Sequence, residues 1–351
     1  MTVRGEVLVA MSGGVDSSVA AALLIEQGFA VTGVTMKLWG GESDSGCCSV
    51  SDVDDARRVA DQLGIDHHVF NFGDDFDERV VQPYIDAHAS GVTPNPCIEC
   101  NRHVKFDRLL RRADALGFTT VATGHHARIV PIDGRVRRVA RGADPLKDQS
   151  YVLYMLRQPQ LARVALPIGD IDKAAVRSIA TRLGLRTATK PDSQDVCFIT
   201  AVGGRQKFLS ARIPLREGRI VDSEGTELGR VPAVELVTIG QRKGLDLAGA
   251  GRRRFVVDVD MASATVVVGS REDLDRDRLA VSNVVWSHEP FAGRCVVQCS
   301  AHGDPRPAMI EVLDADHVTV RWDQAQRRVA PGQSAVFYDG DTVLGGGIVQ
   351  H

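Results

Sequence analysis

The stretch MSGGVDSS, Met11 to Ser18, follows the apolar run EVLVA and precedes the helical pattern SSVAAALLIEQG. Small residues between a strand and a helix can turn backbone N–H groups inward, and the helix start adds its positive end, so together they make an anion site. Ser12, Gly13 and Gly14 supply the turn, Ser17 and Ser18 add hydroxyls, and Asp16 is placed to orient the loop or help hold magnesium. A Walker loop, G-x-x-x-x-G-K-[ST], carries a lysine that reaches the β- and γ-phosphates. MSGGVDSS has no lysine and so lacks the usual clamp for γ-phosphoryl transfer. The plainer alternative is a tight strand–helix turn with an N-cap.

Cysteines are the second candidate group. TPNPCIECNRHVKF (93–106) puts Cys97 and Cys100 at C-x-x-C spacing, with Cys100 at the start of an expected helix, where the dipole favours a thiolate. KPDSQDVCFI (190–199) contributes Cys197 after a Pro-Asp-Ser loop. Any one of these is equally readable as an inert buried cysteine. The C-x-x-C also has the form of half a zinc site, but no second pair at suitable spacing follows, and Cys47–Cys48 is not one. Cys295 and Cys299, four apart in a β pattern, read as structural.

These residues need a scaffold, and the first 200 residues alternate strand and helix. EVLVA (6–10), AVTGVTM (30–36), HHVFNF (67–72) and TTVATG (119–124) read as strands. Helices are expected over 17–27, closed by Gly28; over 52–64, with Ser51 or Asp52 as N-cap; and over 98–116, ending at Gly117. Such alternation predicts an α/β fold with a parallel sheet covered on both faces. Beyond about residue 205 short alternating segments and turn signals predict a β-rich remainder, broken near 275–280 in SREDLDRDRL. The expected division is 1–205, 206–276 and 277–351, the last a barrel or sandwich.

Composition narrows the class. A 351-residue chain is too long for one typical core, and 44% hydrophobic with 25% charged residues is an ordinary globular balance. No run of 18 apolar residues reads as a membrane span, and the N-terminus has no secretory pattern, so the expected location is cytoplasmic. Seven cysteines, an odd number, argue against a disulfide framework. A net charge of −3 argues against non-specific nucleic-acid binding, yet residues 95–150 hold 11 Lys/Arg against 6 Asp/Glu.

The string S-G-G-x-D-S resembles the pyrophosphate loop (PP-loop) of the N-type ATP pyrophosphatases, which split ATP between the α- and β-phosphates and adenylate a substrate oxygen. With pyrophosphate leaving, no γ-clamp is needed. The resemblance then narrows. MSGGVDSSVAAALL, GVTMKLW, TPNPCIECN, ATGHHAR, KDQSY, LPIGD, KPDSQDVCFI, TIGQRKGL and PGQSAVFYDGDTVLGGG occur in the order found in the bacterial tRNA-specific 2-thiouridylases, the MnmA family. That resemblance implies a Rossmann-like PP-loop domain, a small β-rich central domain and a C-terminal β-barrel.

It also implies a reaction. ATP with Mg2+ adenylates O2 of the wobble uridine in tRNAs for Lys, Glu and Gln. Cys197 carries sulfur as a persulfide received from a sulfur donor protein, a cysteine desulfurase or sulfur carrier, and AMP leaves as sulfur arrives at C2. Cys100 is the other catalytic cysteine, able to pair transiently with Cys197 as a disulfide. Ala10, Met11, Ser12, Gly13, Gly14, Val15, Asp16 and Ser17 hold the ATP phosphates, with Met36 and Gly124 near the adenosine. Asn95, Pro96 and Cys97 line the extruded base, and His125, Lys147, Asp148, Gln149 and Gln333 contact tRNA. Read without the family, His125 is equally a satisfied core histidine and Lys147 a solvated charge.

Two departures from the family pattern stand out. Many members have Asp where this chain has Cys97, which makes Cys97, Cys100 and Cys197 a possible three-thiolate ligand set for a [4Fe–4S] cluster. The family's C-terminal Arg-Tyr pair is missing from CSAHGDPRPAM (299–309), where Arg306 alone is a candidate. Rival readings are an amide-forming PP-loop ligase, which needs no cysteine pair, and a non-catalytic iron–sulfur or tRNA-binding protein.

Overall fold

The structure, a computed structural model, describes residues 4–38, 50–192, 196–247 and 253–351; Cys47 and Cys48 lie outside them. Two compact units emerge, one of residues 1–80, 97–202 and 341–344, the other of 81–96, 203–340 and 345–351.

In the first unit five parallel strands run in the order His67–Asn71, Ala30–Lys37, Glu6–Ala10, Thr120–Thr123, Val164–Ala165. Val7, Leu8 and Val9 are buried, as an unbroken apolar run in a sheet covered on both faces should be. From the central Glu6–Ala10 strand the chain moves to one side for Ala30–Lys37 and later to the other for Thr120–Thr123. Open α/β sheets bind ligands at that switch point, beyond the strands' C-terminal ends. MSGGVDSS occupies it. The following helix, Val15–Glu26, buries Val15, Val19, Ala20, Ala21 and Leu24 in one core with Ala56 and Val59 of the helix Val50–Leu63 and Val176 and Ala180 of the helix Lys173–Arg182.

Three helix starts differ from expectation. The helix expected at 17 begins at Val15, directly after the glycines of the loop. The helix expected at 52 already includes Val50, so Ser51 and Asp52 lie in its first turn and do not cap it. The helix expected at 98 begins at Pro96, because proline has no N–H to leave unsatisfied in a first turn. Pro96–Glu99 is α-helical, Cys100–Arg108 is wound as a π-helix, and Leu109–Ala115 is α-helical again.

The second unit is mainly β. Its central sheet runs Asp246–Leu247, Glu227–Val231, Gly218–Val221, Thr265–Gly269, Phe255–Asp260 around buried Ile220, Val231, Val256, Val266 and Val268. Six more strands, Asp275–Trp286, Val318–Arg327, Arg306–Val312, Gly293–Gln298, Ser334–Asp339 and Thr342–Val349, close into a barrel through pairing of the first with the last. The fold is therefore a parallel-sheet α/β domain, a small β domain and a closed six-stranded barrel. Residues 81–96 group with this β-rich unit because the helix Gln82–Ala89 is anchored there. Its Tyr84 ring packs 6.1 Å from Phe208, and His88 Nδ1 lies 3.3 Å from the Glu235 carbonyl.

His88 is buried, and burial with the nearby Arg205 charge pushes its pKa down to about 4 from 6.5. The folded unit keeps this imidazole neutral while the unfolded chain protonates it. Stability from this site is therefore full above pH 6.5 and is lost as pH falls towards 4. Denaturant titrations of His88→Leu and the wild type between pH 7 and 4.5 should differ in slope by up to about one proton, roughly 1.4 kcal/mol per pH unit. Identical slopes would contradict a neutral His88.

Candidate active site

The loop between the first strand and helix is tethered on every side. Met11 N–H donates to the Val34 carbonyl at 2.8 Å, and Thr35 Oγ1 donates to the Met11 carbonyl at 2.7 Å. Gly13 has φ +72°, a conformation that favours glycine, and a Cβ there would strike the backbone of Asp52. Ser17 Oγ accepts from Ser12 N–H at 3.1 Å, and Ser18 Oγ donates to the Gly14 carbonyl at 2.8 Å. Gly14 is the N-cap residue and provides no side-chain cap for the first-turn N–H groups. An anion at this end meets both the helix dipole and donors that the loop does not cap.

Asp16, in the first turn, is where the loop's electrostatics concentrate. Lys173 Nζ lies 2.7 Å from both of its carboxylate oxygens, and His126 Nε2 donates to Oδ1 at 3.1 Å. Burial alone would favour the neutral acid, but the bonds from His126 and Lys173 outweigh it and hold the carboxyl below the ordinary carboxylate value. Asp16 is thus engaged by protein cations. Lys173 also reaches Asp192 at 2.9 Å, which in turn pairs with Lys147 and Arg177 at 2.7 Å each. Despite partial burial, the bonds from Lys147 and Lys173 keep Asp192 ionised. A second lysine, Lys190, donates to the Gly13 carbonyl at 2.9 Å and to Asp52 and Asp55 at 2.7 Å each. Two lysines from distant sequence therefore stand where the loop has none of its own.

The other residues singled out by sequence fall into distinct settings. Ala10 and Met11 are buried beneath the loop, and Met36 is buried near the end of its strand. Gly124 approaches the loop helix so closely that a Cβ would lie 2.6 Å from Ser17 N and 2.7 Å from Asp16 C. His125 is buried, bonded through Nδ1 to Thr123 Oγ1 at 2.7 Å and packed 5.6 Å from Phe106. Burial holds its imidazole neutral, well below the ordinary histidine range. Gln149 closes a two-way backbone clasp on His126, accepting from its N–H and donating to its carbonyl, both at 2.9 Å. Asp148 is turned inward and accepts from Gly142 N, Ser150 N, Ser150 Oγ and Arg141. Of the KDQ residues, Lys147 has the most evident route outward, with a side chain 41% exposed in its pair with Asp192.

Asn95, Pro96 and Gln333 belong to the second unit, where Gln333 Nε2 donates to the Thr93 carbonyl at 2.6 Å. Cys97 lies in the first turn of the helix that starts at Pro96. Cys100 is the fifth residue of that run and is buried, so the expected position at the helix start belongs to Cys97 instead. Arg102, two residues on, pairs with Glu99 at 3.3 Å and donates to the Tyr154 hydroxyl at 3.2 Å. Cys197 opens the helix Cys197–Ala201, pinned by buried Phe198 edge-on to Phe76 at 5.6 Å. It follows Val196, whose φ of +52° is a strained setting for a β-branched residue. Among the described residues no three His, Cys, Asp or Glu side chains gather as a metal-holding group. Cys97, Cys100 and Cys197, two on one helical run and the third on another, are not gathered into such a group, so the structure adds no support to the possible three-thiolate set for an iron–sulfur cluster. Burial pushes the thiols of Cys295 and Cys299 up to about 12, which fits a structural role. Among the described residues no helix is long and apolar enough to cross a membrane.

Sequence reasoning passed over Lys173, Lys190, Asp192 and His126. Lys173 carried one signal: a cation at the first position of a helix opposes the dipole, and such local violations mark functional sites.

Comparison with known proteins agrees with this geometry. Residues 5–201 match the family model described as tRNA methyl transferase HUP domain, 206–270 the tRNA methyl transferase PRC-barrel domain, and 276–349 the aminomethyltransferase beta-barrel domain. The tRNA-specific 2-thiouridylase MnmA of Roseiflexus castenholzii is 46% identical over 368 residues, covering 97% of this chain and 98% of that protein. The proteins of the same description from Chloroflexus aggregans and Mycobacteroides abscessus are 47% and 46% identical, covering 97% and 98% of this chain and 97% and 99% of theirs. Fold and site together define a member of the ATP-using PP-loop superfamily. Within it, the chain belongs to the MnmA family of tRNA-specific 2-thiouridylases.

The close approach at Gly124 is testable. Gly124→Ala would press a methyl group against helix backbone that cannot rotate away, and should cost about 1–3 kcal/mol in equilibrium denaturation. A loss below about 0.5 kcal/mol would show that the strand end and loop helix can separate.

Proposed function

We propose that the protein is a cytoplasmic tRNA-uridine 2-sulfurtransferase working through an adenylated intermediate. The observation that carries this reading is the lysine-free glycine and serine loop at the switch point of the parallel sheet, which suits pyrophosphate as a leaving group. Adenylation and sulfur transfer are assigned to residues 1–205, with 206–276 and 277–351 as accessory β domains.

MgATP binds at Ala10, Met11, Ser12, Gly13, Gly14, Val15, Asp16 and Ser17, with the adenosine near Met36 and Gly124. The wobble uridine of tRNAs for Lys, Glu and Gln leaves its stack and is received by Asn95, Pro96 and Cys97. Its O2 attacks the α-phosphorus, the bond to the β-phosphate oxygen breaks, and pyrophosphate departs. The uridine carbonyl oxygen, a poor leaving group, becomes AMP. Cys197, loaded as a persulfide by a cysteine desulfurase or sulfur carrier, attacks C2 through its terminal sulfur and AMP leaves. Cys100 thiolate then attacks Cys197 Sγ, releasing 2-thiouridine and leaving a Cys100–Cys197 disulfide for an external thiol to reduce. Lys147 and Gln333 contact the RNA. Asp148, Gln149 and His125, whose polar groups face inward, shape the surface that the RNA meets.

Product analysis tests the chemistry. With ATP, magnesium, substrate tRNA and a persulfide source, the wild type should yield AMP and pyrophosphate together with 2-thiouridine; ADP and phosphate would contradict it. Cys197→Ser should reduce 2-thiouridine to background yet still release pyrophosphate, whereas Cys97→Ser should thiolate fully. For RNA binding, Lys147→Glu should weaken tRNA affinity and flatten the salt dependence by a slope of about 1. Wild-type affinity across salt concentrations would remove Lys147 from the RNA face.

A further inference from the structure

Residues 127–141, ARIVPIDGRVRRVAR, form a two-stranded antiparallel ribbon, Ala127–Asp133 against Val136–Arg141, that turns at Gly134 and Arg135. Its base is rooted beside the candidate site. Ala127 directly follows His126, and Arg141, its cross-strand partner, pairs with Asp148 of the KDQ segment at 2.9 Å. Ala127, Val139 and Ala140 are buried there, whereas Ile132, Gly134, Arg135 and Arg137 towards the turn are exposed. At about 3.3 Å per residue, the seven residues of the first strand carry the turn ~20 Å from the base.

The ribbon holds five arginines against one aspartate, in a chain whose net charge is −3. Arg128 and Arg141 are engaged at the base, with Asp341 at 3.4 Å and Asp148 at 2.9 Å. Among the described residues, the guanidiniums of Arg135, Arg137 and Arg138 make no ion pair, and Arg138 Nε is buried with no hydrogen-bond partner. Gln158 fixes the Arg137 backbone, accepting from its N–H at 3.0 Å and donating to its carbonyl at 2.8 Å. Edge protection does not explain this charge. A sheet blunts its free edge with charges on the outer strand, yet the outer strand here, Ala127–Asp133, carries only one of the five arginines. The other four lie on the turn and the inner strand. Side-chain alternation sends Arg137 and Arg138 to opposite faces, so the ribbon is basic on both.

We infer that this ribbon is an RNA-binding arm, whose Arg135, Arg137 and Arg138 take backbone phosphates of the base-paired stem that ends in the target loop. A guanidinium without a protein partner offers phosphate oxygens a planar fork of donors and gives up no ion pair to do so. With the target uridine at the candidate site, the stem above the loop comes within reach of a turn ~20 Å away. Duplex RNA is held mainly through its shape, 2′-hydroxyls and phosphates. The arm therefore adds affinity and orientation without reading sequence. This assignment rests on the reading that the candidate site receives the uridine of a tRNA.

The test uses the full-length protein with Arg135→Ser, Arg137→Ser and Arg138→Ser combined, and with Arg135→Lys, Arg137→Lys and Arg138→Lys combined. Arg135→Ser with Arg137→Ser alone spares the partly buried Arg138 if the triple serine protein does not fold. Equilibrium binding of substrate tRNA and of its isolated anticodon stem–loop is measured across salt concentrations. Folded serine variants should bind both RNAs at least ~10-fold more weakly, with a salt slope smaller by about 2, while the lysine variant keeps the wild-type slope. Wild-type affinity and slope in a folded serine variant would overturn the arm, as would an equal fall in slope with lysine. Weaker tRNA binding with an unchanged stem–loop would overturn the assignment to that stem. Unchanged tRNA binding with slower 2-thiouridine formation from a sulfur donor protein would give the ribbon to an acidic protein partner and overturn the RNA assignment. A wild type that binds tRNA but forms no 2-thiouridine would overturn the reaction reading and leave the arm standing.

Discussion

One carboxylate ties the candidate active site together. Asp16 sits in the first turn of the loop helix, His126 arrives from the turn after the Thr120–Thr123 strand, and Lys173 arrives from the start of another helix. Three elements distant in sequence thus converge on two oxygen atoms. The tight backbone at Gly13 and the close approach at Gly124 make that convergence possible, since a side chain at either would push the elements apart. Partial burial makes the bonds from His126 and Lys173 effective, and those bonds keep the buried carboxylate ionised.

The network extends from Asp16 to regions assigned different tasks. Lys173 joins Asp16 to Asp192, and Asp192 joins both to Lys147. Asp192 lies five residues before Cys197, so one charged chain links the phosphate loop, the KDQ segment and the stretch leading to Cys197. Each carboxylate in it has more than one cationic or imidazole partner, and so can lose one without being left unpaired.

Much of this was readable in the residues. The parallel sheet followed from apolar runs alternating with helical spacing, and the anion loop from small residues between EVLVA and an alanine-rich helix. The β-rich remainder followed from period-two alternation and turn signals. Local pattern failed where tertiary contacts decide. Pro96 moved a helix start and so exchanged the positions of Cys97 and Cys100 relative to it. Residues 81–96 lie in an α/β stretch by sequence, yet Tyr84 and His88 pack in the β-rich unit. Cys97, standing where many family members have Asp, made a three-thiolate set possible, but sequence could not say where Cys197 would fall relative to it. Lys173 and Lys190 look like surface lysines in sequence, because their partners are separated from them by well over a hundred residues.

The adenylation chemistry can be tested by following a single oxygen atom. Substrate tRNA carrying oxygen-18 at O2 of the wobble uridine is incubated with ATP, magnesium and a persulfide source, and the products are weighed by mass spectrometry. Attack of O2 on the α-phosphorus predicts that each 2-thiouridine formed is accompanied by one AMP bearing the label. Label recovered in water, phosphate or pyrophosphate, with unlabelled AMP, would contradict it.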